Sequence, residues 1–249
     1  MPQDQQATPT SAAASSAKWP VQHPDRLQLY SLTTPNGVKA SIMLEETGLA
    51  YEPHYVDFET NDQMSPEFLA INPNNKIPAI VDPNPLGSGP GGKPLTLFES
   101  GAILQYLAEK SGQLLPQDAA QRYQTLQWVF WQVGGVGPMF GQLGFFHKFA
   151  GKDYEDKRPR DRYVAECKRL LNVLNQHLAT RTWMVGETYT IADIAILPAV
   201  HNLLEHYMAG ELVGIQDYPH VTRALAAFVA RPAVVRGLGI PARGDGVGG

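Results

Sequence analysis

Two short strings of this sequence carry residue types suited to holding a small, charged, peptide-like ligand. Pro78 follows Ile77 at the start of an apolar run, where a proline cannot donate to a strand ladder. If the Ile77–Pro78 bond is cis, the backbone N–H and C=O of Ile77 face outward, and an extended ligand can pair with them. Glu99 and Ser100 put a carboxylate and a hydroxyl where another apolar run gives way to a helix. The free N–H groups and positive dipole at the start of that helix favour a carboxylate, and Glu99 suits an ammonium group.

The elements that must position these strings follow the order βαβ–ββα. Alternating leucines predict a strand over Arg26–Leu32, and near-helical spacing predicts a helix that stops at Gly48. A second strand is predicted at Tyr55–Phe58. Two further strands, Ile77–Asp82 and Leu95–Glu99, are joined by a Gly/Pro-rich loop, which indicates an antiparallel hairpin. A helix with Ser100 at its N-cap follows, and the order as a whole is typical of a thioredoxin-like α/β domain.

After Pro116 only helical patterns remain, so we predict an all-α C-terminal domain. Its first, aromatic-rich helix should bend or break at the glycines around Gly134. Thr190 and Asp193 form a capping box that starts a central helix, and we assign Asp193 to folding. The predicted boundaries are a disordered N-terminal arm over 1–24, a thioredoxin-like domain over 25–114, a helical domain over 119–238 and a flexible tail over 239–249.

Composition excludes several classes of function. The net charge of −4 gives no basic field for nucleic acid or for an anionic membrane surface. No apolar run reaches the roughly 18 residues that a spanning helix needs. The spacing of His201 and His206 does not match a zinc signature, and we expect no metal. Cys167 is the single cysteine, which fits a reducing, cytoplasmic compartment.

The strings around these residues, taken in order, resemble the glutathione transferase superfamily. They are Thr33-Thr34-Pro35-Asn36-Gly37, Asn74-Asn75-Lys76-Ile77-Pro78-Ala79, Leu97-Phe98-Glu99-Ser100-Gly101-Ala102 and Thr190-Ile191-Ala192-Asp193-Ile194-Ala195. The first string lacks the usual cysteine or serine and is similar to the nu class, the bacterial disulfide-bond reductase type related to the yeast nitrogen-regulation prion protein. The resemblance covers about residues 26–236.

The resemblance implies a glutathione site. In this family a cis proline at the position of Pro78 grips the ligand's cysteine, Lys76 reaches its glycine carboxylate, and Glu99 with Ser100 holds its γ-glutamyl end. Arg162 matches an arginine that holds a second glutathione. The implied glutathione-binding residues are Gln63, Asn75, Lys76, Ile77, Pro78, Glu99, Ser100 and Arg162.

Thr34 and Asn36 are the predicted catalytic residues. A thiol becomes a good nucleophile only on deprotonation, and lowering its pKa by about two units needs about 2.7 kcal/mol of thiolate-selective stabilisation. The Thr34 hydroxyl, the Asn36 amide or N–H and the helix dipole can supply it. Tyr30 is an alternative activator, because some glutathione transferases use a tyrosine near the end of this strand.

The function implied is glutathione-dependent disulfide reduction, with two glutathiones or one glutathione disulfide per active site. Because Cys167 lies mid-helix, far along the chain from the turn, we expect an inert thiol and infer that bound glutathione is the attacking thiol. We expect a homodimer that acts on small disulfides or electrophiles. Two alternatives stay open: conjugation of electrophiles, with aromatic residues around Phe140 and Phe149 lining an apolar site, and a non-enzymatic glutathione-binding interaction module.

Overall fold

A four-stranded mixed sheet and the helices that flank it form the first half of the chain. The computed structural model describes residues 18–88 and 92–244. The elements of this half are β1 (Leu27–Ser31), α1 (Gly37–Thr47), β2 (Tyr51–Tyr55), α2 (Pro66–Ile71), β3 (Ala79–Asp82), β4 (Leu95–Phe98) and α3 (Ser100–Ser111). The strand order is β2-β1-β3-β4, with β1 parallel to β2 and antiparallel to β3, and β3 antiparallel to β4. The predicted thioredoxin-like fold class is confirmed.

The second strand lies earlier in the chain than the sequence pattern indicated. It covers Tyr51–Tyr55 instead of Tyr55–Phe58, and its buried positions are Glu52 and His54. Both polar side chains have partners: the Glu52 carboxylate accepts from two backbone N–H groups, and His54 Nε2 lies 2.7 Å from Gln28 Oε1. The prediction was wrong because the inward-facing positions carry no apolar residue, so the alternation that marks a strand is absent.

The short helix α2 also had no sequence signal. Ser65 is its N-cap and accepts a hydrogen bond from Phe68 N–H, and the Phe68 side chain is buried. Six residues are too few for a helical periodicity to appear.

The second half of the chain is helical. Its helices are α4 (Ala119–Trp131), α5 (Gly137–His147), α6 (Arg158–Leu178), α7 (Ile191–Glu205), α8 (Gly210–Val213), α9 (Pro219–Val229) and α10 (Pro232–Gly237). The predicted break at the glycines is one turn of π-helix, Gln132–Val136, that joins α4 to α5. Within the described ranges, none of these helices has both the length and the hydropathy needed to cross a bilayer.

Helix α7 is the centre of the packing. Every residue from Ile191 to Val200 is buried, and the main core cluster combines residues of α7 with residues of β1, α1 and α3. The predicted capping box is present: Asp193 Oδ2 accepts from Thr190 N–H at 2.9 Å. Asp193 Oδ1 also accepts from Met184 N–H at 2.8 Å. Burial raises the pKa of Asp193 to about 7, although these hydrogen bonds oppose the rise.

The described N-terminal end of the chain is packed, which shortens one predicted segment. The Trp19 side chain is buried, contacts Tyr30 and Phe68, and donates to the Tyr55 carbonyl at 2.8 Å. The predicted disordered arm over 1–24 therefore extends too far, because Trp19 packs on its own chain; residues 1–17 lie outside the described ranges. In the predicted tail, Arg243 pairs with Glu59 at 2.8 Å, and residues 245–249 lie outside the described ranges.

Replacing Asp193 by alanine is expected to lower the free energy of unfolding by about 2–4 kcal/mol, since two buried N–H donors lose their acceptor. Urea denaturation of Asp193→Ala, beside the exposed control Glu155→Ala, measures this loss. Equal midpoints for Asp193→Ala, the control and the unsubstituted chain would show that the carboxylate has no role in folding.

Candidate functional site

A cleft runs between the sheet-containing half and the helical half. Its main cavity, about 840 Å³, is lined on one side by the turn after β1 and on the other by α7. Its wall includes Thr34, Asn36, Phe58, Phe149, His201 and Asn202. Asn36 also lines three smaller cavities of about 70, 210 and 160 Å³. Asn36 therefore borders all four cavities.

The local structure of the β1–α1 turn sets the donors of this site. Thr34 Oγ1 accepts a hydrogen bond from Gly37 N–H at 3.1 Å, so its hydroxyl hydrogen remains available to an acceptor in the cleft. Asn36 stands at the N-cap of α1, yet its side chain makes no capping hydrogen bond. Only glycine fits at position 37, because a Cβ there would lie 1.9 Å from the Leu32 carbonyl oxygen.

The Asn36 side chain is instead bound to a buried lysine that the sequence analysis missed. Lys39 Nζ donates to Asn36 Oδ1 at 2.9 Å and to Gln132 Oε1 at 2.7 Å, and lies 3.5 Å from Ser100 Oγ. The residue is 1% exposed. Burial lowers the pKa of Lys39 to about 7, and the nearby Glu99 carboxylate opposes this shift. No motif marked Lys39, because it lies among apolar residues on a helix.

The structure brings together most of the residues expected to hold a tripeptide. A cavity of about 160 Å³ is lined by Asn36, Asn72, Lys76, Ile77, Pro78, Glu99 and Ser100. The Ile77–Pro78 peptide bond is cis. Asn72, which the sequence analysis did not name, donates from Nδ2 to the Lys76 carbonyl at 2.6 Å and thereby fixes the loop before Ile77.

The N-cap of α3 is shifted by one residue from its predicted place. Glu99 is the N-cap, with φ of 71°, and Ser100 is the first helical residue. A positive φ is uncommon for a residue with a side chain and is often found at ligand sites. It allows the chain to leave β4 with both polar side chains facing the cavity.

The three other predicted binding residues are not among those that line the four cavities. Asn75 donates to Met64 Sδ, and Gln63 has a buried Oε1 without a hydrogen-bond partner in the described structure. Arg162, on α6, has a side chain that is 71% exposed, 3.9 Å from Glu166.

Tyr30 and Cys167 both lie away from the cleft. Tyr30 is buried beside Trp19 and stacks on His54, and burial, with a smaller effect of Glu52, raises its pKa to about 12. Cys167 is fully buried, and burial raises its pKa to about 12, as expected for an inert thiol.

His201 and His206, whose spacing does not match a zinc signature, are in the wall of the main cavity. Sequence patterns gave no signal for this position, because only the packing of α7 opposite the turn makes it a cavity wall.

The same architecture and motifs occur in known proteins. Family models for the glutathione S-transferase N-terminal and C-terminal domains match residues 25–109 and 138–232. The chain belongs to the glutathione S-transferase family. It is 45% identical over 212 residues to the disulfide-bond oxidoreductase YfcG of Escherichia coli K12, an alignment that covers 85% of this chain and 94% of that protein.

Two solved glutathione transferase structures are also close. One, from Burkholderia graminis with two glutathione molecules bound per subunit, has 73% identity and a TM-score of 0.87, covering 90% of this chain and 92% of that chain. The other, from Pseudomonas putida with one glutathione disulfide per subunit, has 69% identity and a TM-score of 0.85, covering 89% and 94%.

Replacing Tyr30 by phenylalanine is expected to change kcat/KM for glutathione by less than about twofold, because its hydroxyl does not reach the cleft. Steady-state kinetics of Tyr30→Phe at several pH values provide the measurement. A large loss, with unchanged thermal stability, would instead assign sulfur activation to this hydroxyl.

Proposed function

We propose that this protein is a glutathione-dependent disulfide-bond oxidoreductase of the nu class, binding two glutathiones or one glutathione disulfide in its cleft. One observation carries the proposal: the turn at the cleft presents Thr34 and Asn36 instead of a thiol, beside a cavity of about 840 Å³. The oxidoreductase name of the E. coli relative and the ligands of the two bacterial structures support it.

The first glutathione occupies the small cavity beside the cis proline. The Ile77 backbone pairs with its cysteine like one more strand, and Lys76 attracts its glycine carboxylate. Its γ-glutamyl carboxylate takes the Ser100 hydroxyl and the first N–H groups of α3, and its ammonium takes Glu99. These contacts direct the ligand's sulfur towards Asn36, which lines both this cavity and the main one.

Thr34 and Asn36 stabilise the thiolate form of that sulfur. Hydrogen bonds from the Thr34 hydroxyl and the Asn36 Nδ2 group favour the anion over the thiol. A hydrogen bond to a charged acceptor contributes about 1.5–3 kcal/mol, so two of them supply at least the about 2.7 kcal/mol that a shift of two pKa units requires.

Thiol–disulfide exchange then proceeds in two steps. The glutathione thiolate attacks one sulfur of a small disulfide, the disulfide bond breaks, and the departing thiolate takes a proton. A second glutathione thiolate attacks the glutathione sulfur of the mixed disulfide and releases the other thiol. Two glutathiones are oxidised to one glutathione disulfide, and one disulfide is reduced to two thiols. The protein contributes positioning and thiolate stabilisation, and no sulfur of its own.

The main cavity receives the second glutathione, and we propose Arg162 as a further contact of that ligand. Gln63 and Asn75 are proposed as contacts of the first glutathione, and all three would reach their ligand from outside the cavity walls. Gln63 offers a buried acceptor without a partner in the described structure. The exposed Arg162 side chain has the length and freedom to close on a carboxylate.

The aromatic cluster gives little support to the alternative of electrophile conjugation. The cluster comprises Phe140, Phe145, Phe146 and Phe149. Phe149 lines the main cavity, whereas Phe140 is buried in the core and lines the cavity of about 70 Å³. Phe145 and Phe146 pack against each other and against Tyr154. Most of this cluster therefore lies outside the wall of the main cavity, whose apolar residues include Leu32, Phe58 and Leu238 beside Phe149.

The double substitution Thr34→Ala with Asn36→Ala is expected to reduce kcat/KM for 2-hydroxyethyl disulfide about 10- to 100-fold at pH 7, because less bound glutathione is ionised. The assay couples glutathione disulfide formation to NADPH oxidation by glutathione reductase. Cys167→Ala is the control and is expected to retain turnover.

Four outcomes would contradict the proposal. Unchanged turnover in the double variant would remove the roles of Thr34 and Asn36, and loss in Cys167→Ala would point to a protein thiol. Rapid conjugation of chloronitrobenzene substrates with slow disulfide turnover would favour a conventional transferase. Glutathione binding without any turnover would favour an interaction module.

We further propose a cytoplasmic homodimer. Tyr123 and Phe130 on α4 are 72% and 67% exposed, and Phe98 at the end of β4 is 37% exposed. Apolar surface of this kind is commonly covered by a second subunit.

Sedimentation equilibrium is expected to give twice the chain mass. The substitution Phe130→Lys is expected to lower the association constant of the dimer. A monomer at micromolar concentration would contradict the proposed dimer.

A further inference from the structure

We propose that Lys39 is a positioning residue: it holds the Asn36 amide with its N–H₂ group towards the cleft, so that Asn36 donates to the glutathione thiolate. The inference rests on the proposed role of Asn36 in thiolate stabilisation and adds a residue that no motif identified. It is carried by the contacts of Lys39 with Asn36, Gln132 and Ser100.

The direction of the amide follows from the chemistry of the lysine. In its protonated form Lys39 has three N–H donors and no acceptor, so the oxygen of an amide faces it. Lys39 Nζ lies 2.9 Å from Asn36 Oδ1. The N–H₂ group on the opposite side of the planar amide is therefore left for the cavities that Asn36 lines. The oxygen and the N–H₂ group of the amide are nearly equivalent in shape, so without the lysine either could face the cleft. A carbonyl oxygen in that position would repel the thiolate.

Gln132 fixes the lysine from the helical half. Its Oε1 accepts from Lys39 Nζ at 2.7 Å, and the residue is 1% exposed. Gln132 opens the π-helical turn between α4 and α5, a feature often found at functional sites. The turn brings the Gln132 side chain against Gly137, where an added Cβ would lie 2.9 Å from Gln132 Nε2. The unusual turn thus holds an acceptor for a lysine on the opposite side of the cleft.

The charge of Lys39 adds to this geometry. Burial lowers the pKa of Lys39 to about 7, with the Glu99 carboxylate opposing. An anion that forms nearby favours the protonated lysine, so ionisation of the ligand thiol and protonation of Lys39 support each other. The polar groups that face the ammonium are the Asn36 and Gln132 amides and the Ser100 hydroxyl, and Glu99 is the nearby charge.

The test is the pKa of the thiol of glutathione bound to the full-length protein. It is followed by the ultraviolet absorbance of the thiolate across a pH series, against a blank with S-methylglutathione, which cannot ionise. Lys39→Met is expected to raise this pKa by about one unit. Gln132→Met, which retains the charge and removes one anchor, is expected to raise it by less. Lys168→Met, on an exposed face of α6, is the control and is expected to leave it unchanged.

Positioning through Asn36 is tested in a double-substitution cycle. In an Asn36→Ala background, Lys39→Met is expected to raise the thiol pKa clearly less than it does alone, because the amide it orients is gone. An equal shift in both backgrounds would overturn the positioning role and leave a direct electrostatic effect. If neither Lys39→Met nor Gln132→Met shifts the pKa, the proposal is wrong. If Lys39→Met does not fold, Gln132→Met still provides the test of the thiol pKa.

This experiment is independent of disulfide turnover. Thiol ionisation is measured with glutathione alone, so the Lys39 proposal can hold even if the unsubstituted protein reduces no disulfide. Conversely, normal disulfide reduction with no effect of Lys39→Met on the thiol pKa would leave the proposed function intact and overturn this inference.

Discussion

The packing of α1 between the two halves of the molecule is the constraint on which the site depends. One end of this helix carries Asn36 into the cleft, and its buried face contributes to the same core cluster as α3 and α7. At its other end Glu46 forms a two-point ion pair with Arg231, at 2.6 and 2.8 Å, and Arg231 stacks on Tyr189. Because the helix is held along its length, the position of its N-terminus relative to the cleft is fixed.

Within this frame, the polar groups of the site are fixed by partners that do not face the ligand. Gly37 N–H donates to the Thr34 hydroxyl oxygen, Lys39 binds the Asn36 oxygen, and Asn72 binds the carbonyl of Lys76. In each contact one polar group has a partner within the protein, and another polar group stays available to the ligand. Such an arrangement lowers the reorganisation needed when a thiolate forms, which is the main way a site without its own nucleophile can promote exchange.

Sequence patterns were sufficient where the signal is local. The capping box at Thr190 and the stop of α1 at Gly48 appear as predicted, and the helix after β4 differs only by one residue at its N-cap, because caps and periodicity act within one or two turns. Predictions were wrong where polar residues occupy buried positions. The strand β2 has Glu52 and His54 on its buried face, and no pattern of apolar residues could reveal it.

Short motifs in the sequence predicted the βαβ–ββα order, the family and the strings around Pro78 and Glu99 that are proposed to hold the tripeptide. Which other residues join them depends on tertiary packing. Lys39 and Gln132 are distant in sequence and meet because α1 and the turn after α4 pack across the cleft. The cavity wall that includes His201 of α7 arises in the same way. A cavity forms between packed surfaces, so no local sequence pattern predicts it.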